Sequence, residues 1–285
     1  MIQPATIKLF LPFGDPTRLR TAELSNWSGK AVAAPRSDLS ELYARGELGS
    51  SGIYILAGVD TKTGKPIAYA GEAEVLSSRL KQHASKDYWN QVFVFLSKDE
   101  NLTKAHIRYL EGAIIREARE IGRVELMNAQ GSGSMLPESD RADMDVYLSK
   151  VRQLLPVLGS NLLTPIVGLA SQLSTRVFST FLKGIRASGA PSSGGFVVFE
   201  GSEAVKDNRP SASKYVQAER QRLVDSGNLS PQDNHLRFMQ DVEFASPSMA
   251  ASVVKGGNTN GWTSWKTPDG TSLKEIEALS TPPDA

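Results

Sequence analysis

The chain has 285 residues, a formal net charge of +1 and no cysteine. That length allows two modest domains with real cores. The missing cysteine excludes a disulfide framework and cysteine-ligated zinc, and it fits a reducing cytoplasm. A balance of 32 basic against 31 acidic residues gives no bulk attraction to nucleic acid. Residues 1–13 lack the charged start and apolar stretch of a signal peptide. The uncharged stretch 153–175 is broken by Pro156, Asn161 and Pro165, so it reads as buried or loop structure, and no membrane association is expected.

In chain order, Ile7-Lys8-Leu9-Phe10-Leu11 alternates weakly and reads as a strand stopped by Pro12 and Gly14. Trp27 falls in a segment of loop character. Residues 37–44 read as a helix with Ser37 as N-cap. The lead-in 1–47 is taken as a stabilising N-terminal extension. Two short apolar runs, 51–56 and 67–71, flank turn chemistry at 60–65 and predict a β-hairpin. If Tyr54 lies opposite Tyr69, both rings share one face. Residues 75–83 predict a helix with Arg79 and His83 four apart on one side. Arg suits a phosphate through paired hydrogen bonds, and His relays protons near neutral pH. Trp89 is expected as a lid on the core, and 92–96 as a central buried strand.

Residues 103–121 predict a long helix whose buried stripe is Ile107, Leu110, Ile114, Ala118 and Ile121, with Thr103 as N-cap and Gly122 as the stop. Glu111 lies inside that stripe. A carboxylate there needs its charge offset by a metal ion or by an Arg or Lys partner. Lys104 and His106 head the helix, either on the surface or facing phosphate. Residues 129–138 have linker composition, and 139–155 read as an amphipathic helix ended by Pro156. Asp140, Asp143 and Asp145 suit the dipole at its start better than a metal. No organisation is assigned to 161–189. A second domain follows, with a strand at 195–199, a helix at 213–223 stopped near Gly227, and a small-residue helix starting at Ser246-Pro247. Asn260-Gly261 reads as a tight turn, Trp262 and Trp265 as one hydrophobic plug, and 281–285 as a disordered tail.

The ordered set Gly52-Ile53-Tyr54, Tyr69-Ala70-Gly71, Arg79-x-x-x-His83, Glu111 and Asn128 resembles the GIY-YIG nuclease family over roughly 48–130. Ala70 departs from the larger aliphatic usual there, a position expected to pack on the core. The ending resembles a small domain of unknown function found at the C-termini of some GIY-YIG nucleases and some modification methyltransferases. Ser246-Pro247-Ser248, Ala250-Ala251, Asn260-Gly261-Trp262, Trp265-Lys266, Gly270 and Leu273 carry that likeness.

The first resemblance implies an α+β unit, a small antiparallel three-stranded sheet flanked by helices. A second small α+β domain would lie C-terminal to it. The expected divisions are 1–47, a nuclease-like unit at 48–130, a linker and helical connector at 131–193, and the C-terminal domain at 194–280. It also implies a metal-dependent DNA endonuclease in bacterial restriction or defence against phage. Glu111 would hold Mg²⁺ or Mn²⁺, and Arg79 a phosphate oxygen, with Lys104 a further contact to DNA. Tyr54 would act as general base, Tyr69 would position water or phosphate, His83 would relay the proton, and Asn128 would position substrate or fix the loop. The C-terminal domain is the candidate for homodimerisation or targeting. Two other readings stand beside it: a non-catalytic nucleic-acid-binding module of the same fold, and an assembly subunit. The weak basic character favours both, with 11 Lys/Arg against 10 Asp/Glu over 52–130 and 9 against 12 from 196 onward.

Overall fold

A computed structural model describes residues 4–61, 64–128, 133–165 and 176–280. The expectations for Lys62 and Thr63 in the hairpin turn, for 129–132 of the linker, for 166–175 and for the tail at 281–285 lie outside the described residues. The chain divides into two compact units, Met1–Thr164 and Pro165–Ala285. Both mix helices with mainly antiparallel sheet. No described helix is long and apolar enough to cross a membrane.

The first unit runs β1 (Ile7–Phe10), β2 (Arg20–Leu24), β3 (Gly29–Pro35), α1 (Leu39–Tyr43), β4 (Gly52–Val59), β5 (Pro66–Ala73), α2 (Leu76–His83), β6 (Gln91–Ser97), α3 (Lys104–Ile121), β7 (Glu125–Leu126) and α4 (Glu138–Val157). Its strands form one sheet in the order β1-β2-β3-β6-β4-β5-β7. The expected three strands are present as β6-β4-β5, but the sheet is larger. β3 pairs with β6 from Gly29–Ser97 to Pro35–Gln91, so the N-terminal extension is part of the sheet and not an arm beside it. β3 escapes sequence reading because Ala31, Val32, Ala33 and Ala34 are all buried. A strand covered on both faces shows no alternation.

Alternation along β4 divides the unit into two cores. Ile53 and Ile55, with Ala68, Ala70, Phe93 and Phe95, pack under α3 and α4. Tyr54 and Leu56, with Val92 and Val94, pack under Leu76 and Leu80 of α2. α4 corrects the expected connector. Its Met144, Tyr147, Leu148, Val151, Leu154 and Leu155 belong to the first core, and Tyr147 bonds the Leu96 carbonyl at 3.0 Å. Pro156 falls in its last turn and does not mark its end. The caps of α3 are as read: the Thr103 side chain accepts from the His106 backbone N–H, and Gly122 turns left-handed at φ 70°. Ser37 does not cap α1. Residues Arg36–Asp38 form a 3-10 turn, and the Asp38 carboxylate accepts from the Leu19 backbone instead.

The second unit runs β8 (Phe178–Leu182), β9 (Ile185–Ser192), β10 (Gly195–Val198), β11 (Glu203–Val205), α5 (Lys214–Asp225), β12 (Leu229–Pro231), β13 (His235–Phe238), β14 (Val242–Phe244), α6 (Pro247–Lys255), α7 (Gly261–Ser264) and α8 (Leu273–Ser280). One sheet has the order β14-β10-β9-β8, and a smaller one β11-β13-β12. Its sheet therefore starts at Phe178, ahead of the boundary expected at 194. β9 is rich in small residues and carries Gly and Pro, which hid it. Gly189 is needed there, because a Cβ would lie 2.2 Å from the Val197 carbonyl oxygen.

Asn260-Gly261 is not a tight turn. The Asn260 side chain caps α7, and Gly261 lets the backbone pass Pro247, whose carbonyl group a Cβ would meet at 2.1 Å. The two tryptophans do not form one plug. Trp265 is fully buried, stacks on Phe196 at 4.5 Å and donates from Nε1 to the Pro247 carbonyl, whereas Trp262 is 37% exposed.

Candidate active site

β4 and β5 run antiparallel with Tyr54 opposite Gly71 and Leu56 opposite Tyr69. The tyrosines are thus offset by two residues and not directly opposed. An even offset keeps both on one face, and their ring centroids are 6.2 Å apart. Gly71 makes room for this arrangement, since a Cβ there would lie 2.4 Å from the Tyr54 ring and hydroxyl. Gly52, at the start of the first motif, lets β4 approach β6: its Cβ would meet the Phe95 carbonyl oxygen at 2.4 Å.

α2 lies over that face and adds the next two residues. Arg79 Nε donates to the Tyr54 hydroxyl at 3.3 Å, and the same hydroxyl is 2.9 Å from His83 Nε2. The His83 ring centroid is 5.0 Å from that of Tyr69. The Tyr54 hydroxyl can accept from Arg79 and donate to His83 at once. Its pKa is pushed well above the ordinary tyrosine value, first by burial and then by Tyr69. Burial also lowers the pKa of His83, helped by Arg79 and Lys86, which favours the neutral form of its imidazole. Arg79 is held charged by its bond to Tyr54, and its side chain is exposed.

The structure thus gathers Tyr54, Tyr69, Arg79 and His83. The other two proposed residues are placed differently. Asn128 sits at the outer edge of β5, where β7 pairs in parallel with Ile67 and Ala68. Its side-chain amide accepts from the Ala70 N–H at 3.0 Å and donates to the Ala70 carbonyl at 2.7 Å. It thereby continues the ladder by one step and fixes the strand carrying Tyr69 and Gly71. Arg119 of α3 holds the Asn128 carbonyl at 2.8 Å. Glu111 is 9% exposed, on the helix packed against the opposite face of the sheet, and it takes part in a polar interaction. Ala70 is buried in that same core, as expected.

Lys104 does not join the cluster. It is exposed and paired with Glu74 at 2.7 Å. His106 serves the α3 cap and lies 3.6 Å from Asp140. Trp89 is buried, and its Nε1 donates to the His83 carbonyl, holding the end of α2. Sequence reasoning passed over Tyr88. It is half-buried in the core under α2, and burial together with Tyr69 pushes its pKa up to about 12. No spacing rule marks a residue that reaches a site from a loop.

Among the described residues no group of three or more His, Asp or Glu side chains could hold a metal. The acidic residues early in α4 therefore form no such site, and Asp145 accepts from the Tyr109 hydroxyl at 2.7 Å. A donor set of the Glu111 carboxylate alone still suits Mg²⁺, which keeps several waters and takes one or two carboxylates with substrate phosphate.

Residues 178–277 match a family model described as a domain of unknown function, DUF4357. The second unit thus carries a C-terminal domain of unknown function. No curated protein matches the chain, and no solved structure does.

Proposed function

We propose that the first unit is a metal-dependent phosphodiesterase of the GIY-YIG type that cuts DNA. One observation carries this reading: a single buried tyrosine hydroxyl is bonded to both a guanidinium and an imidazole. With its pKa raised, Tyr54 is not a base by itself. It becomes one when its own proton passes to His83 Nε2 as it takes a proton from water. Arg79, charged and exposed, is placed to take a non-bridging phosphate oxygen. Tyr69 stands beside both and orients water or phosphate.

Glu111 would hold Mg²⁺ or Mn²⁺, and the bound ion would supply charge neutralisation at the phosphate and the leaving oxygen. This reading requires the carboxylate to serve the cluster around the outer edge of β5, where β7 pairs only with Ile67 and Ala68. Asn128 is a positioning residue that acts through β5. A role in restriction or phage defence, and dimerisation through the second unit, rest on the resemblance alone.

The test is plasmid nicking with Mg²⁺ or Mn²⁺, on duplex, single-stranded and branched substrates. Glu111→Gln and Tyr54→Phe are each expected to lose at least about 100-fold in rate, the scale of losing a general base or a charge-stabilising group. Wild-type inactivity on all three substrates, or variants that nick as fast as the wild type, would sink the proposal. The second reading, a nucleic-acid-binding module without turnover, gains from the raised Tyr54 pKa. It predicts binding with no cut product.

A further inference from the structure

The second unit contains a cleft of about 650 Å³ walled by β8, β9, the end of α6, α7 and the segment after it. Arg186, Lys255 and Lys266 all line it. Among the described residues no ion pair ties any of the three to a carboxylate. Lys255 Nζ lies 3.2 Å from the Ser264 hydroxyl, and burial together with Arg209 and Lys266 depresses its pKa. Glu203, near Arg186, accepts from the Arg186 backbone N–H at 3.1 Å and lies 3.9 Å from His235. Thr180 stands in the wall with a buried hydroxyl that has no partner. Phe181 also lines the cleft, 64% exposed, with the Arg186 guanidinium 5.6 Å from its ring centroid. A concentration of cations in a region with more acids than bases is a local feature, not a property of the whole surface.

We propose that this cleft binds a phosphate of a single-stranded polynucleotide. Lys255, Lys266 and Arg186 hold the phosphate, and Ser264 adds a hydroxyl donor. Phe181, backed by Arg186, stacks on the neighbouring base. An aromatic platform beside a cationic groove is the arrangement that suits unpaired strands without reading sequence. A free inorganic anion would leave the exposed ring unused. The inference does not rest on the nuclease reading, because it concerns the other unit and is tested without turnover.

The experiment titrates the full-length chain into a fluorescein-labelled single-stranded DNA 12-mer in EDTA, from 50 to 200 mM salt. The double variant Lys255→Gln/Lys266→Gln is expected to bind at least about 10-fold more weakly at low salt. Its salt slope should fall by at most about 0.7, because the two lysines hold a single phosphate. Phe181→Ala, at an exposed position, is expected to weaken binding about 10-fold through lost stacking. Lys214→Gln/Lys274→Gln changes charge equally outside the cleft and is expected to stay within about two-fold. An equal loss in that control overturns the proposal, since it signals diffuse attraction. So does unchanged affinity in Phe181→Ala, which decides the matter if the lysine variant fails to fold by circular dichroism. Capture by phosphatidylserine vesicles with no binding to the oligonucleotide also overturns it. If nicking fails while this pattern holds, only the nuclease reading falls.

Discussion

Each unit contains an aromatic pair that sequence spacing assigns to one shared face: Tyr54 with Tyr69, and Trp262 with Trp265. The first pair shares its face although the register differs from the one assumed. The second pair separates, one ring buried and the other in solvent. Strand periodicity is two, so an error of two residues costs nothing. Helical periodicity holds only while the helix lasts, and α7 ends at Ser264. Trp265 already has extended backbone, at ψ 121°, and swings to Phe196. A face assignment is therefore robust in a paired strand and fragile across a helix end.

The sharpest way to break this contrast is in the second pair. Trp265→Ala removes a buried, stacked and hydrogen-bonded ring, and a loss of about 3–5 kcal/mol is expected in urea denaturation followed by circular dichroism. Trp262→Ala should cost about 0.5 kcal/mol or less, the scale of an exposed substitution. Comparable losses in the two would restore the single plug.

In the first unit, Gly71→Ala drives a methyl group into Tyr54. A loss of about 1–3 kcal/mol is expected from overpacking, and nicking should fall further than stability does. Normal activity in that variant would mean that the ring position does not matter to the chemistry. Asn128→Ala leaves the Ala70 N–H and carbonyl without their partner, with an expected loss of about 1–3 kcal/mol. Because Asn128 acts through β5, kcat should fall in parallel with lost hydrogen-exchange protection of Ala70.

The smallest expected effect is a pH dependence. His83 has a folded-state pKa below its ordinary value of 6.5. The unfolded chain therefore takes up its proton first as pH falls. The contribution of His83 to stability is present above pH 6.5 and is lost on acidification through that value toward the lower folded pKa. His83→Gln should flatten that part of the stability profile. An unchanged profile would mean that burial does not hold His83 in its neutral form.

How much was legible varies with what each signal encodes. The α3 helix, its Thr103 cap and its Gly122 stop are local, and they were readable. So were β6, the start of α6 at Pro247, and the placement of Arg79 and His83 on one side of α2. Ser37 failed as a cap because it lies inside the Arg36–Asp38 3-10 turn and the helix starts only at Leu39. The strands β3 and β9 were missed because small residues buried on two faces, or interrupted by Gly and Pro, carry no alternation. α4 looked like a connector because an amphipathic stripe does not name the surface it will cover.

The sequence by itself determined which residue types could do chemistry and where α3, β6 and the start of α6 lie, because those follow from side-chain type and local period. Only the tertiary structure decided that one tyrosine hydroxyl touches both Arg79 and His83, that Asn128 serves the Ala70 backbone, and that three cations from separate elements meet in one cleft. Those outcomes depend on register, on strand order and on where a helix stops, and each is set by packing between segments far apart in the chain.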